Sequence, residues 1–223
     1  MSGKLIVIEG LDGSGKATQT KALCDELKNR GLNVMQVSFP NYDSPSSSLV
    51  KMYLNGDFGT KANDTGAYAA SCLYTVDRFA SYKTIWQDFY NNGGIVIADR
   101  YTTSNAIHQC SKLDEKQWDE YLDWLFDFEY NKIAIPSPSV VIYLDVDISA
   151  SQDLMSHRYG GNESKKDIHE RDKEYLVRSH KAANYCAAKL GWYTIACMRN
   201  EHLRSIDDIH KDIMDCIIAD KII

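Results

Sequence analysis

The sequence predicts an α/β fold in three layers, with a parallel five-stranded sheet covered by helices on both faces. Three observations carry this. Short continuous apolar runs recur along the chain, as strands buried on both faces require. Segments with helical spacing of apolar residues separate them, which is the alternation of a parallel sheet with crossover helices. A glycine-rich turn joins the first run to the first helical segment.

The first run covers 5–8, and the second, 32–39, starts just after Gly31. The third, 95–98, follows Gly93 and Gly94; the fourth, 140–144, follows Pro136 and Pro138; the fifth, 192–197, follows Gly191. Between them, Thr20, Leu23, Cys24 and Leu27 share one helix face. Trp118, Tyr121, Leu122, Leu125 and Phe128 mark an aromatic-faced helix, expected to turn its stripe to the core. Leu176, His180, Ala183, Ala187 and Leu190 step along a later helix, and Ile206, Ile209, Ile213 and Ile217 along the last. A turn cluster falls at 44–48. The stretch 157–168 is polar, holds Gly160 and Gly161 with Arg158, Lys165 and Lys166, and has no apolar period. It is expected to be a mobile lid over the cleft.

At 223 residues the chain predicts a single domain spanning 1–223. Its 25 basic and 31 acidic residues give a net charge of −6, which argues against a nucleic-acid partner. No apolar run approaches the ~18 residues of a membrane helix. Six scattered cysteines with no CxxC pair suggest reduced thiols in a cytoplasmic protein, and the early first strand leaves no room for a leader.

The strongest motif is Gly10-Leu11-Asp12-Gly13-Ser14-Gly15-Lys16, placed between a strand and a helix. It has the G-x-x-x-x-G-K spacing of a P-loop, so the expected class is the P-loop NTPase fold. Glycines let backbone N–H groups turn toward a polyphosphate, the helix start adds a positive dipole end, and Lys16 adds a point charge. Ala17 stands where the motif has a hydroxyl for Mg²⁺, and Thr18 points about 100° away. ATP is thus expected on 10–18.

Ligands of such sheets sit at the carboxyl ends of the strands. Those ends carry Phe39-Pro40-Asn41-Tyr42, then Asp99-Arg100-Tyr101 with Asn105 beyond, then Asp145. Arg100 can hold a second anion. Asp145 fits either a metal-serving carboxylate or a helix cap. Tyr74 and Arg78 stand four apart on one helix, a spacing at which a ring and a guanidinium can meet a base.

Together these segments resemble the thymidylate kinase family. The similarity rests on IVIEGLDGSGKATQ at 6–19, FPNY at 39–42, LYTVDR at 73–78, ADRYTTSNA at 98–106 and DIHERD at 167–172, in the family's order. The resemblance implies a homodimer that transfers the γ-phosphoryl of ATP to dTMP with Mg²⁺, in nucleotide biosynthesis. It implies that Asp12 meets the acceptor's sugar and phosphate end. Phe39 and Tyr42 flank the acceptor, Tyr74 stacks on thymine and Arg78 reads a thymine carbonyl. Arg100 holds the acceptor phosphate, Asp99 serves the metal or the P-loop, Asn105 lies near the base and His108 near the deoxyribose. Lys16, Asp12, Arg100 and the lid's Arg158 make the expected catalytic set. The chain departs from the pattern at Ala17, in an FPNY without arginine, and in a lid with lysines where relatives carry arginines. From the residues alone, two other readings stand: another nucleotide or deoxynucleoside kinase of this fold, or a P-loop switch with little turnover.

Overall fold

The structure, a computed structural model, describes residues 3–61, 63–159 and 173–223, apart from the side chains of 156–159 and 173. The five expected strands form β1 (Lys4–Gly10), β2 (Val34–Ser38), β3 (Ile95–Asp99), β4 (Val140–Asp145) and β5 (Tyr193–Ala196). They make one parallel sheet in the order β2-β3-β1-β4-β5. The order reverses at β1, which pairs with β3 on one side and β4 on the other. That reversal opens a crevice at the strands' carboxyl ends.

Alternating residues of β1 feed two cores. Ile6 and Ile8 pack under α1 (Lys16–Asn29) and α9 (Ile206–Ala219), with Leu23, Leu27, Ile213 and Ile217. Leu5 and Val7 face the other way, against Trp86 and Tyr101. Burial on both faces is why the central strands are continuously apolar. Each large side chain so buried contributes about 1.5–3 kcal/mol. The edge strands β2 and β5 keep exposed positions.

The remaining helices are α2 (Ser48–Asn55), α3 (Ala67–Ser81), α4 (Gln87–Asn91), α5 (Thr102–Cys110), α6 (Trp118–Phe126), α7 (Ile148–Tyr159) and α8 (Lys173–Leu190). The cluster at 44–48 is a single 3₁₀ turn, Pro45–Ser47, capped by Ser44 and running into α2. All six cysteines are free thiols.

Four details differ from expectation. Ile206 opens α9 in solvent rather than on its buried face, because it sits beside the Ser205 cap before the helix settles on the sheet. Beyond Phe126, α6 widens into a π-helical turn, Asp127–Lys132. There Phe128 swings outward to stack on Trp124, 5.2 Å between rings, and Glu129 takes the inward position. Residues 157–159, expected in the lid, extend α7; the rest of the expected lid, with Lys165, Lys166 and the DIHERD stretch, lies outside the described residues. A short hairpin, β6 (Met198–Arg199) with β7 (His202–Leu203), was not foreseen.

Candidate active site

The P-loop closes between β1 and α1 as its glycines dictate. Gly13 has φ +80°, and a Cβ there would lie 2.3 Å from the Ser151 carbonyl of α7. Neither the backbone angle nor the space admits a side chain. Gly15, at φ +85°, turns the chain into α1. Lys16 is buried at 7% exposure, and its Nζ donates to the Leu11 carbonyl at 2.7 Å. Burial, then the charge of Arg100, pull its pKa down to about 8, against the opposing pull of Asp12, Asp99 and Glu9. Lys16, Gly13, Gly15, Ala17 and Asp99 line a polar cleft together with Asp12, Phe39 and Arg100. Leu11 and Ser14 are buried in the loop, whereas Thr18 is exposed and outside that lining.

A second cavity opens beside the first, between α3, α5 and the β2–α2 loop. Phe39, Tyr74, Arg78, Asn105, His108 and Gln109 line it, and it shares Asp12, Phe39 and Arg100 with the phosphate cleft. Tyr74 meets Tyr53 edge-on at 6.2 Å. Tyr42 is half exposed and lines neither cavity, although its charge interaction reaches Arg100. Asp77 of α3 holds the loop bearing Phe39, accepting from Asn41 N at 2.7 Å and Ser46 Oγ at 2.6 Å.

Arg100 stands where the cavities meet. It follows β3 at φ +69°, a left-handed conformation that costs a non-glycine residue about 1–3 kcal/mol. Its guanidinium pairs with Asp12, reaches Ser104 Oγ at 3.3 Å and lies 3.9 Å from Glu9. Burial opposes its charge, but Asp12, Glu9 and Asp99 prevail and hold its pKa above the ordinary arginine value. Nη1 also meets His108 Nε2 at 3.3 Å. Arginine has no acceptor, so Nε2 accepts, which leaves the proton on Nδ1, 3.2 Å from the Tyr175 hydroxyl.

Two residues missed in the sequence organise this region. Glu9, next to last in β1, is fully buried, accepting from Thr103 Oγ1 at 2.7 Å and Ser104 Oγ at 2.8 Å, and burial raises its pKa. Glu129 is buried beneath the second cavity and pairs with Arg78. Both had a signal: a carboxylate in an apolar strand, and one four residues after Leu125 on an apolar stripe. Gln109, also missed, is buried, and its Oε1 has no partner among the described residues. Asp145, left open between metal and cap, accepts from His180 Nε2 at 2.8 Å. The backbone of Arg158 lies in α7; its side chain is outside the described set.

A family model for thymidylate kinase matches residues 8–213, from the middle of β1 into α9. The chain belongs to the thymidylate kinase family. It is 30% identical over 194 residues to a thymidylate kinase of Mycobacterium tuberculosis, covering 84% of this chain and 87% of that one. A probable thymidylate kinase of Pyrococcus horikoshii is 30% identical over 215 residues, covering 96% and 95%. The solved thymidylate kinase structure from Candida albicans is 22% identical with a TM-score of 0.73, covering 99% of this chain and 93% of that one. That likeness supports the fold of this chain, with its parallel five-stranded sheet.

Proposed function

We propose that this member of the thymidylate kinase family transfers the γ-phosphoryl of ATP to dTMP, with ATP on the P-loop and dTMP in the aromatic cavity. One observation carries the assignment of sites: Arg100 and Asp12 line both cavities, so a single guanidinium borders a phosphate cradle and a base-sized pocket. The dTMP phosphate oxygen is already ionised, and attack needs no strong general base. Catalysis is positioning and charge neutralisation in a loose transition state. Arg100 orients the acceptor phosphate against like-charge repulsion, Lys16 and the loop amides hold the donor, and Asp12 holds Arg100. ATP restores anionic partners around Lys16 and so favours its charged form.

Tyr74 offers its ring to thymine, Phe39 walls the pocket, and Arg78, Asn105 and Gln109 offer polar groups to the base. His108 stands beside Arg100 toward the sugar, and Tyr42 stays at the entrance. Asp99 in the phosphate cleft suits Mg²⁺, which takes one or two carboxylates and completes its shell with phosphate and water oxygens. When bound, Mg²⁺ neutralises charge on the phosphates. Arg158, near the end of α7, completes the set, since a lysine there would lack the bidentate grip.

The α2–α3 side exposes Leu49, Met52, Val76, Phe79 and Ile85, and we assign this apolar face to a homodimer contact. No helix among the described residues is long and apolar enough to cross a membrane. We place the enzyme in the cytoplasm, where its free thiols stay reduced.

ADP release with ATP and Mg²⁺ across nucleosides and monophosphates tests the whole. Acceptor-dependent release greatest with dTMP is expected. Release favouring thymidine, or none that depends on an acceptor, overturns it.

A further inference from the structure

Glu129 is a fully buried charge that the proposed phosphoryl transfer does not use. Leucine occupies the two preceding inward positions of its helix, so packing alone would be served by another. Its oxygens accept from Thr75 Oγ1 at 2.9 Å, Thr102 Oγ1 at 2.7 Å, Asn105 Nδ2 at 3.2 Å and Arg78 Nε at 2.7 Å, and from Arg78 Nη2.

An ionised carboxylate only accepts, so every group around it must donate. For Asn105 this fixes the amide. Nδ2 serves Glu129 with one hydrogen and the Ser71 carbonyl, at 3.3 Å, with the other. Both partners are acceptors, so the amide cannot be reversed without loss. Its remaining function is Oδ1, an acceptor. For Arg78 the carboxylate takes the Nε/Nη2 edge, and the guanidinium's other N–H donors are what it can offer the cavity it lines. Glu129 thus sets one acceptor and one donor on the wall of the same pocket. That pair complements a pyrimidine edge bearing N3–H and a 4-oxo group. A 4-amino pyrimidine presents the opposite pattern, with an acceptor at N3 and a donor at position 4.

The geometry points to Glu129 as a positioning residue that fixes the hydrogen-bond polarity of the base pocket, so that it selects 4-oxo over 4-amino pyrimidine monophosphates. The inference rests on assigning that cavity to the acceptor base. Gln109 adds another amide to the wall, but no carboxylate among the described residues dictates its orientation.

The test is Glu129→Gln, nearly isosteric, which puts an NH₂ donor among donors. The readout is the ratio of kcat/KM for dTMP to that for dCMP. The ratio should fall at least about tenfold, through a raised KM for dTMP with kcat within about threefold. An unchanged ratio, with only stability or kcat lowered for every acceptor, overturns the proposal. If this variant does not fold, Glu129→Asp carries the test, because it withdraws the carboxylate by one methylene from Arg78 and Asn105. A ratio lowered at least about threefold then supports the proposal, and a wild-type ratio overturns it. Asn105→Ala and Arg78→Met separate the two levels. If they relax selection while the Glu129 variants do not, only the role of Glu129 falls. If they too keep the wild-type ratio, the pocket assignment falls with it.

Discussion

Lys16→Met should make the free protein more stable while abolishing its activity. Lys16 is 7% exposed, and its pKa falls from an ordinary 10.5 to about 8, chiefly through burial. At about 1.4 kcal/mol per pH unit, holding its charge in the folded protein at pH 7 costs about 3 kcal/mol. Methionine fills similar space without the charge but gives up the bond from Nζ to the Leu11 carbonyl, roughly 1 kcal/mol. The net gain is about 2 kcal/mol, or roughly 4–8 °C in Tm for a chain of this size. The pH dependence identifies the cause. Below pH 8 Lys16 is protonated in both folded and unfolded states, and the penalty is complete. Between about 8 and 10.5 the unfolded chain binds the extra proton, so wild-type stability rises relative to the variant as pH rises. Near pH 9.5 the remaining penalty, about 1.4 kcal/mol, roughly matches the lost hydrogen bond, and the two proteins should melt together. Thermal melts of both proteins at pH 7 and 9.5, without nucleotide, check this. A variant that melts at or below wild type at pH 7 would refute the reasoning, since Lys16 would then be no strained charge held for a polyanion.

Arg100→Met should lower kcat/KM for dTMP by at least about 100-fold in steady-state kinetics, since two charge-assisted bonds to phosphate carry about 1.5–3 kcal/mol each; wild-type turnover would remove Arg100 from the phosphate site. His180 has its pKa raised by the bond to Asp145, against partial burial. Its stabilisation is complete below pH 6.5 and fades as pH rises through the folded value, so His180→Gln should flatten the decline in Tm between pH 6 and 8. An unaltered profile would contradict that. Phe79→Asp puts a charge on the exposed α3 face and should shift the protein to monomer in sedimentation equilibrium, while the fold by circular dichroism stays intact.

Much of the fold was legible because its determinants are local or periodic. The three central strands are buried on both faces, and that forces uninterrupted apolar runs. The P-loop could be read because Gly13 and Gly15 both take left-handed backbone angles, a demand confined to the loop itself. Phe39, Tyr74, Arg100 and Asn105 were legible in sequence motifs and His108 through the family resemblance alone, and the structure brings all of them to one cavity. Arg78 lines it too, but committed along one edge to Glu129, 51 residues away in sequence. A free arginine and a paired one look alike in a one-dimensional pattern. Asp145 was undecided for the same reason, since His180 lies 35 residues downstream. Phe128 and Ile206 were misplaced by assuming that a helical period runs unbroken to the helix end, where a π turn and a cap shift the register.

The sequence by itself determined the strand–helix alternation, the anion cradle and the types of group available to an acceptor, since each depends on neighbouring residues and their stereochemistry. Only the tertiary structure decided that Asp12 and Arg100 border two cavities at once, and that Glu129 sets the direction in which Asn105 and Arg78 present their hydrogen bonds. Buried charges must find partners wherever the chain brings them. Which partners those are depends on sheet order and helix packing, and a linear pattern of residue types does not contain either.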